Sequence, residues 1–430
     1  MSLHERLHRA GAKIVVLAFV FVCAAPLSAQ PPLPESPRVG LFDSVATVLR
    51  RYWPDSAKRR FIVEPLIAEY AARAAAAQTF GEECDVVQVL LSKIPSSHLG
   101  LMSESAYRTL SRALRYDRET MFGLQLTHWD GRWYAAAVYD SGSAHRAGIR
   151  AWDEIVAIDG VAPEQSGRLD FRTDDAFLAD ERDPPMHALF ASALSSARFL
   201  VRTAPDSLRE LDLLAEPYSA WEGSAASLSV IEHNGIRIGY LHLFYMHMKG
   251  GTDWLSDRFS NEWANVDAVV LDLRGRGGDG GLAVGIADVV GGSGNRWRRF
   301  AGPVVALQDR QTRSAKEILL DQIRTRRIGR LVGEPSAGAV VFSSVRNLGH
   351  EMVLMLPGGP PVGRQEQLEL TPVAPDVNVP WGGPLSGRRD PILAAGLEEA
   401  ARLVAAFGRG RVLEAPIFDR KLKATIKAPR

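Results

Sequence analysis

The stretch PVVALQDRQTRSAKEIL, residues 303–319, decides how this chain is read. Val304 to Leu307 form a short apolar run of the kind that makes a buried strand. A polar turn follows, and a run of helix formers begins at Ser314. A buried strand leading through a turn into a helix is the repeating unit of a parallel α/β layer. Ser314-Ala-Lys-Glu317 is also a capping box, with Ser314 as N-cap and Glu317 three residues on. The same position suits a nucleophile, because the amides of a helix N-terminus stabilise developing negative charge. Spacing alone leaves both readings of Ser314 open.

Outward from this unit the alternation continues. Strands are expected at IRIGYLHLFYM (236–246), DAVVLDLRG (267–275) and within RIGRLVGE (327–334). Helices are expected at WLSDRFSNEWANV (254–266), GLAVGIADVVGG (281–292) and SAKEILLDQIRT (314–325). Residues 218–407 therefore read as an α/β core with a mostly parallel sheet. Upstream, residues 30–116 read as a helical domain. LFDSVATVLRRYW (41–53) sets Phe42, Val45, Val48, Leu49 and Tyr52 on one stripe, and Pro95 should end the helix that carries DVVQVLLSKI. His98, in SSHLG (96–100), then falls in a loop just past a helix end, where site residues are often placed.

Between these blocks, residues 117–217 have short alternating strands with Gly and Asp turns. FGLQL (122–126), GSAHRAGIRAWDEIVAIDG (142–160) with Val138 before it, and the hairpin ARFLVRTAPDSLRELDLLAEP (197–217) resemble a PDZ domain. The resemblance implies that Met121, Phe122, Gly123 and Leu124 hold the carboxylate of a peptide that adds a strand beside them. The insertion at 164–197 is long enough to cover that groove.

The whole chain has 430 residues, 46% hydrophobic and 23% charged, with a formal net charge of +1. It is ordinary globular material, and nothing in the charge points to nucleic acid. His4, Arg6, His8, Arg9 and Lys13 precede the apolar run 14–26 and then LSAQ, the pattern of a secretory leader cut near Ala29. The apolar run is short for a membrane span, and Val22 before Cys23 argues against a lipid anchor. Residues 1–29 are thus expected to direct export to a periplasmic or extracellular place. Without the leader only Cys84 remains, so no intrachain disulfide is available, and Cys84 reads as a buried apolar residue. PPLPESP (31–37) is a linker and 408–430 a basic, solvated tail.

LDLRGRGGDGG (271–281) contains Gly-x-Gly-x-x-Gly after a strand, but the nearest fitting acidic residue, Asp309, lies too far on for a dinucleotide fold. The other use of such a turn is to aim backbone N–H groups at an anion, an oxyanion included. With IGYLHLF, DAVVLDLRGRGG, PVVALQDRQTRSAKEI, RLVGEPSAG and ELTPVAPDVNV in order, the chain resembles the C-terminal-processing and tricorn family of serine peptidases. That resemblance implies a crotonase/Clp-protease-like α/β catalytic core, with Ser314 as nucleophile. It also implies an oxyanion hole from the amides of Gly277, Gly278 and Ala315. The processing branch takes its base from a lysine where this chain has Ala339, and Lys316 on the nucleophile's own helix points elsewhere. The tricorn branch instead uses a histidine from an N-terminal Ser-His segment and a glutamate before V-x-P-D, positions filled here by Ser97-His98 and Glu369.

These residues imply an exported serine endopeptidase of a multidomain α/β fold. His98 is the general base, Glu369 acts on it directly or through Ser97, and the PDZ-like domain captures the C-termini of peptide or protein substrates. No cofactor or metal is expected, and His242 and His247 read as packed or surface residues. Arg276 and Arg313 replace residues common in the family, and either narrow the site or bind a substrate carboxylate. An inactive peptide-binding scaffold, or a carrier of a small apolar ligand as in one branch of the family, are the competing readings. The oligomeric state is not set by the sequence.

Overall fold

A computed structural model describes residues 36–113, 117–170, 176–178, 185–189, 191, 195–293, 299–384 and 389–413. The expected leader and most of the basic tail lie outside the described residues. Three helices open the described chain: α1 (Leu41–Tyr52), α2 (Glu64–Ala76) and α3 (Phe80–Ser92). Their apolar stripes meet in one cluster through Leu41, Val45, Leu49, Ile67, Val87 and Leu91. Thr79 caps α3 and Glu82 returns the bond, a complete capping box. Cys84 is buried there, and burial first, then Asp85 and Glu83, push its thiol up to about 12. It is no nucleophile, as the helical pattern around it suggested.

Helical periodicity over 41–115 hides one strand. Gly100–Ser103 is β1, followed by α4 (Glu104–Ala113). The stretch is too short for periodicity to reveal, and its partner lies some 250 residues away in sequence.

The next block is a six-stranded antiparallel sheet. Its strands are β2 (Leu124–Trp129), β3 (Arg132–Val138), β4 (Glu154–Ile158), β5 (Met186–His187), β6 (Ser196–Ala204) and β7 (Ser207–Leu214). They lie in the order β5-β2-β3-β4-β6-β7. Phe122, Leu124, Leu126, Phe199 and Val201 fill its core. Gly123 has φ +76, and an added Cβ would lie 3.2 Å from Gly142 Cα, so the loop before β2 needs a glycine.

The insertion at 164–197 reaches the edge of β2. β5 lies within it and pairs with the free edge of β2, Leu126 opposite His187 and Thr127 opposite Met186. Beyond β5, Leu189 bridges Leu169, and Ala188 N–H donates to the Asp170 carboxylate at 2.8 Å. The strand edge on which a captured C-terminus would lie is thus occupied at Leu126 and Thr127 by the chain itself. A second strand cannot share those backbone groups.

The α/β core follows. β8 (Ser229–His233) and β9 (Ile236–His242) form an antiparallel pair. β9 then continues a parallel sheet through β10 (Ala268–Asp272), β11 (Val304–Gln308), β12 (Arg330–Gly333) and β15 (Val377–Asn378). α5 (Gly251–Arg258), α6 (Gly281–Val290) and α7 (Ala315–Thr325) serve one face, and α8 (Pro391–Phe407) covers the other. Strands β10 and β11 are buried throughout, as a sheet covered on both faces requires. Between β12 and β15 the chain leaves the sheet as a hairpin, β13 (Ser343–Gly349) and β14 (Met352–Pro357). β1 of the helical lobe adds to this hairpin, Gly100 opposite Met355 and Ser103 opposite Met352. Leu348, Met352, Leu354 and Leu356 pack into the helical cluster. No helix among the described residues is long and apolar enough to cross a membrane.

Since β5 occupies the edge of β2, a free peptide with an apolar C-terminus is expected to show no saturable binding to this sheet. Fluorescence anisotropy with a labelled peptide checks this. Saturable binding whose footprint, read by hydrogen–deuterium exchange, falls on Leu124–Thr127 would mean that Met186–His187 yields its place.

Candidate active site

Ser314 is the last residue before α7, in the turn after β11. Its backbone has φ 59 and ψ −126, a left-handed conformation costly for a residue with a Cβ. An ordinary N-cap is extended, so the backbone at Ser314 departs from that of the cap its spacing suggests. A nucleophile at a sharp strand-to-helix turn is held in this strained manner, with its hydroxyl presented outward.

Two hydrogen bonds hold the strained residue. Ser314 N–H donates to the Ala339 carbonyl at 2.7 Å and lies 3.2 Å from Glu317 Oε2. Glu317 is fully buried, and four donors converge on it. Ser336 Oγ is at 2.5 Å and Gly338 N at 2.7 Å from Oε1; Ala339 N is at 2.7 Å from Oε2, with Ser314 N beside it. Burial pushes the Glu317 carboxyl up to about 7, against the bonds from Ser336, Ala339 and Gly338, which favour its charged form. The sequence showed Glu317 only as half of a capping box. That it also anchors 336–339 could not be seen in spacing.

Ala339 occupies the place from which the processing branch draws its lysine. Its backbone touches Ser314, but its methyl group offers no proton acceptor. The next two residues lead to the second carboxylate. Glu369 accepts from Val340 N at 3.1 Å and Val341 N at 3.3 Å through Oε2. It also accepts from Ser97 N at 2.8 Å through Oε1 and from Ser97 Oγ at 3.0 Å through Oε2. Ser97 Oγ is 3.0 Å from His98 Nδ1.

This line of contacts assigns the imidazole. Ser97 has one hydroxyl hydrogen, and the Glu369 carboxylate only accepts. With that hydrogen given to Glu369, Ser97 Oγ accepts from His98 Nδ1–H, and the lone pair of the ring is on Nε2. His98 has φ 54, a left-handed conformation that histidine tolerates better than most residues, and is half-buried. Ser97, His98 and Glu369 are therefore brought together. Ser314 is tied to the same short segment, 338–341, from its other side.

The turn at 274–278 approaches from β10. Gly277 has φ 54 and Gly278 φ 150. Gly277 O accepts from Met246 N at 3.0 Å, and a Cβ on Gly278 would lie 2.4 Å from the Met246 Cβ. Only glycine fits there. Ala315, the first residue of α7, is buried with its N–H at the helix start, where no intrahelical acceptor exists. Arg276 and Gly275 face a cleft of about 420 Å³ between the six-stranded sheet and the core, with Tyr139, Trp152, Phe244 and Trp381 on other walls. Arg313 is buried, and its Nε donates to the Gln311 carbonyl at 3.2 Å. Met121 and Leu124, expected to hold a peptide carboxylate, line a different cavity of about 250 Å³ with Ala188 and Leu189. Among the described residues no group of three His, Cys, Asp or Glu side chains is placed to hold a metal ion.

Glu317→Gln leaves one carbonyl oxygen for Ser336 and Gly338 but turns an amide N–H₂ toward the Ala339 and Ser314 N–H groups. Destabilisation of about 1–3 kcal/mol is expected from those unmet donors. Thermal unfolding measures it, and an unchanged midpoint would contradict this role.

Residues 291–379 match the sequence profile of peptidase family S41. No curated protein matches the chain. Among solved structures, a photosystem II D1 C-terminal processing protease is similar at 20% identity, covering 86% of this chain and 97% of that one, TM-score 0.46. The tricorn protease is similar at 17% identity over 84% of this chain and 36% of its own, TM-score 0.46. Mature CPAF is similar at 12% identity over 87% and 99%, TM-score 0.48. The segment matched by the profile, 291–379, carries both Ser314 and Glu369, so this part of the core is similar to peptidase family S41.

Proposed function

We propose that the chain is a serine endopeptidase in which Ser314 attacks the scissile carbonyl and His98 is the general base. The observation that carries the reading is the line from Glu369 Oε2 through Ser97 Oγ to His98 Nδ1, 3.0 Å at each step, built from residues 272 apart in sequence. A serine hydroxyl is a weak nucleophile until a neighbour takes its proton. His98 Nε2 takes it and returns it to the leaving amine. Glu369, acting through Ser97, fixes the tautomer and stabilises the imidazolium. The amides of Gly277, Gly278 and Ala315 receive the oxyanion, where one donor is typically worth about 2.7–4 kcal/mol of barrier.

Substrates are peptides or unfolded segments of proteins. They enter by the cleft that Arg276 and Gly275 line rather than along β2, whose edge is filled. Cleavage takes place after export, if the leader read at 1–29 acts as one. Ala339 in the lysine position favours the competing reading, a scaffold that binds peptides without turnover. It is answered here by the alternative base.

A fluorophosphonate probe is expected to label the wild type and not Ser314→Ala. His98→Ala is expected to label at least ~10³-fold more slowly with its fold intact. Glu369→Gln, which keeps the size but not the charge, falls between. Equal labelling of wild type and Ser314→Ala, read by mass spectrometry of the modified peptide, would establish the scaffold instead.

A further inference from the structure

Lys316 takes no part in the reaction as written above, yet it is among the largest fully buried side chains of the protein. An ammonium removed from water needs partners. Its Nζ donates to the Arg274 carbonyl at 2.8 Å and to the Phe244 carbonyl at 3.2 Å. The first acceptor belongs to the turn that approaches Ser314, and the second to the segment after β9 that supports it. The Arg274–Gly275 peptide is held at its other end too, because Gly275 N–H donates to the Asp309 carboxylate at 3.1 Å. A peptide unit gripped at both its oxygen and its N–H cannot rotate. Phe244 begins the segment that supports the rest of the turn: Met246 N–H donates to Gly277 O at 3.0 Å, and Asp279 N–H to Met246 O at 2.9 Å.

We propose that Lys316 is a positioning residue that clamps the 274–278 turn to the helix carrying Ser314, and so sets where the oxyanion amides stand relative to the nucleophile. The proposal rests on the serine-peptidase reading. The side chain leaves α7 two residues after Ser314 and ends between the two chain segments that build the turn. Helix and turn therefore move as one body. Replacing it leaves two inward-facing carbonyls without a donor and the turn free to shift. A displacement of about 1 Å near reacting atoms can cost on the order of 10²-fold in rate.

The charge of the clamp is conditional. Burial pushes the Lys316 ammonium down to about 7; Asp309 and Asp272 resist that fall and Arg274 adds to it. His242, at the end of β9, faces the same cluster. The protonated amine donates most strongly to the two carbonyls, so the clamp is tight below about pH 7 and loosens as pH rises through that value.

The test is the rate of fluorophosphonate labelling at Ser314 as a function of pH. Because His98 and Glu317 are common to wild type and variant, what is read is the ratio of wild-type to Lys316→Met rate, which is expected to fall as pH rises through about 7. Lys316→Met, matched in length and uncharged, is expected to label on the order of 10²-fold more slowly than the wild type below about pH 7, where the amine is charged, while unfolding cooperatively. Asp309→Asn removes a charge that sustains the ammonium and should move the fall to lower pH, a shift that a merely structural role would not produce. Wild-type labelling by folded Lys316→Met overturns the clamp, and so does a ratio of wild-type to Lys316→Met rate that holds or rises through the same range. If Lys316→Met does not fold, the wild-type and Asp309→Asn profiles decide the question. Absence of any labelling of the wild type at Ser314 overturns the peptidase reading, and the clamp with it.

Discussion

Four backbone pairs between Gly100–Ser103 and Met352–Met355 hold the site together. β1 begins two residues after His98, so the register of this one short strand determines where the imidazole stands. The pairing is reinforced from both sides. Leu99 and Leu101 enter the same cluster as Leu354 and Leu356, and helices α1 to α3 close over them. The helical lobe is therefore part of the site: its apolar faces bury the hairpin that receives β1, and β1 brings the histidine. A slip of one residue would turn Leu101 out of that cluster and reverse the facing of every side chain on the strand.

Two carboxylates organise the rest. Glu317 gathers Ser336, Gly338, Ala339 and the Ser314 amide, and Glu369 gathers Val340, Val341 and Ser97. The segment 336–341 is thus suspended between them. Its neighbours on one side are the turn that carries Ser314 and on the other the Ser97-His98 pair. Each of these partners is a donor, the arrangement that keeps a carboxylate useful as an acceptor. The strain at Ser314 persists because the surrounding bonds over-determine it. A buried lysine on the same helix faces the other way, toward the glycine turn, so the start of α7 is tied to its surroundings through Ser314, Lys316 and Glu317.

The six-stranded sheet between lobe and core shows how a familiar pattern can mislead. FGLQL, the short helix at Ser143–Arg146 and the late hairpin all lie where their sequence suggested. The peptide edge does not stay open, because two residues of an insertion with no strand period of their own complete it. Met186 and His187 are too few to read as a strand. They become one only because β2 offers unpaired backbone groups beside them.

Local pattern in the sequence determined much of this protein: the alternating strands and helices of the core, the turn that carries Ser314, the glycines of 275–278 and the candidates His98, Ser97 and Glu369. Each depends on the period, capping or backbone freedom of a few adjacent residues. Only the tertiary structure decided which of these meet. Glu317 was legible as a cap but not as the anchor of 336–339, and Lys316 could be seen to point away from Ser314 but not toward what. Ser97 was legible as a neighbour of His98, but its bond to Glu369 joins chain segments 272 residues apart. Contacts across such distances are set by how whole apolar faces pack and by which strand edges find partners. No window of adjacent residues encodes those outcomes.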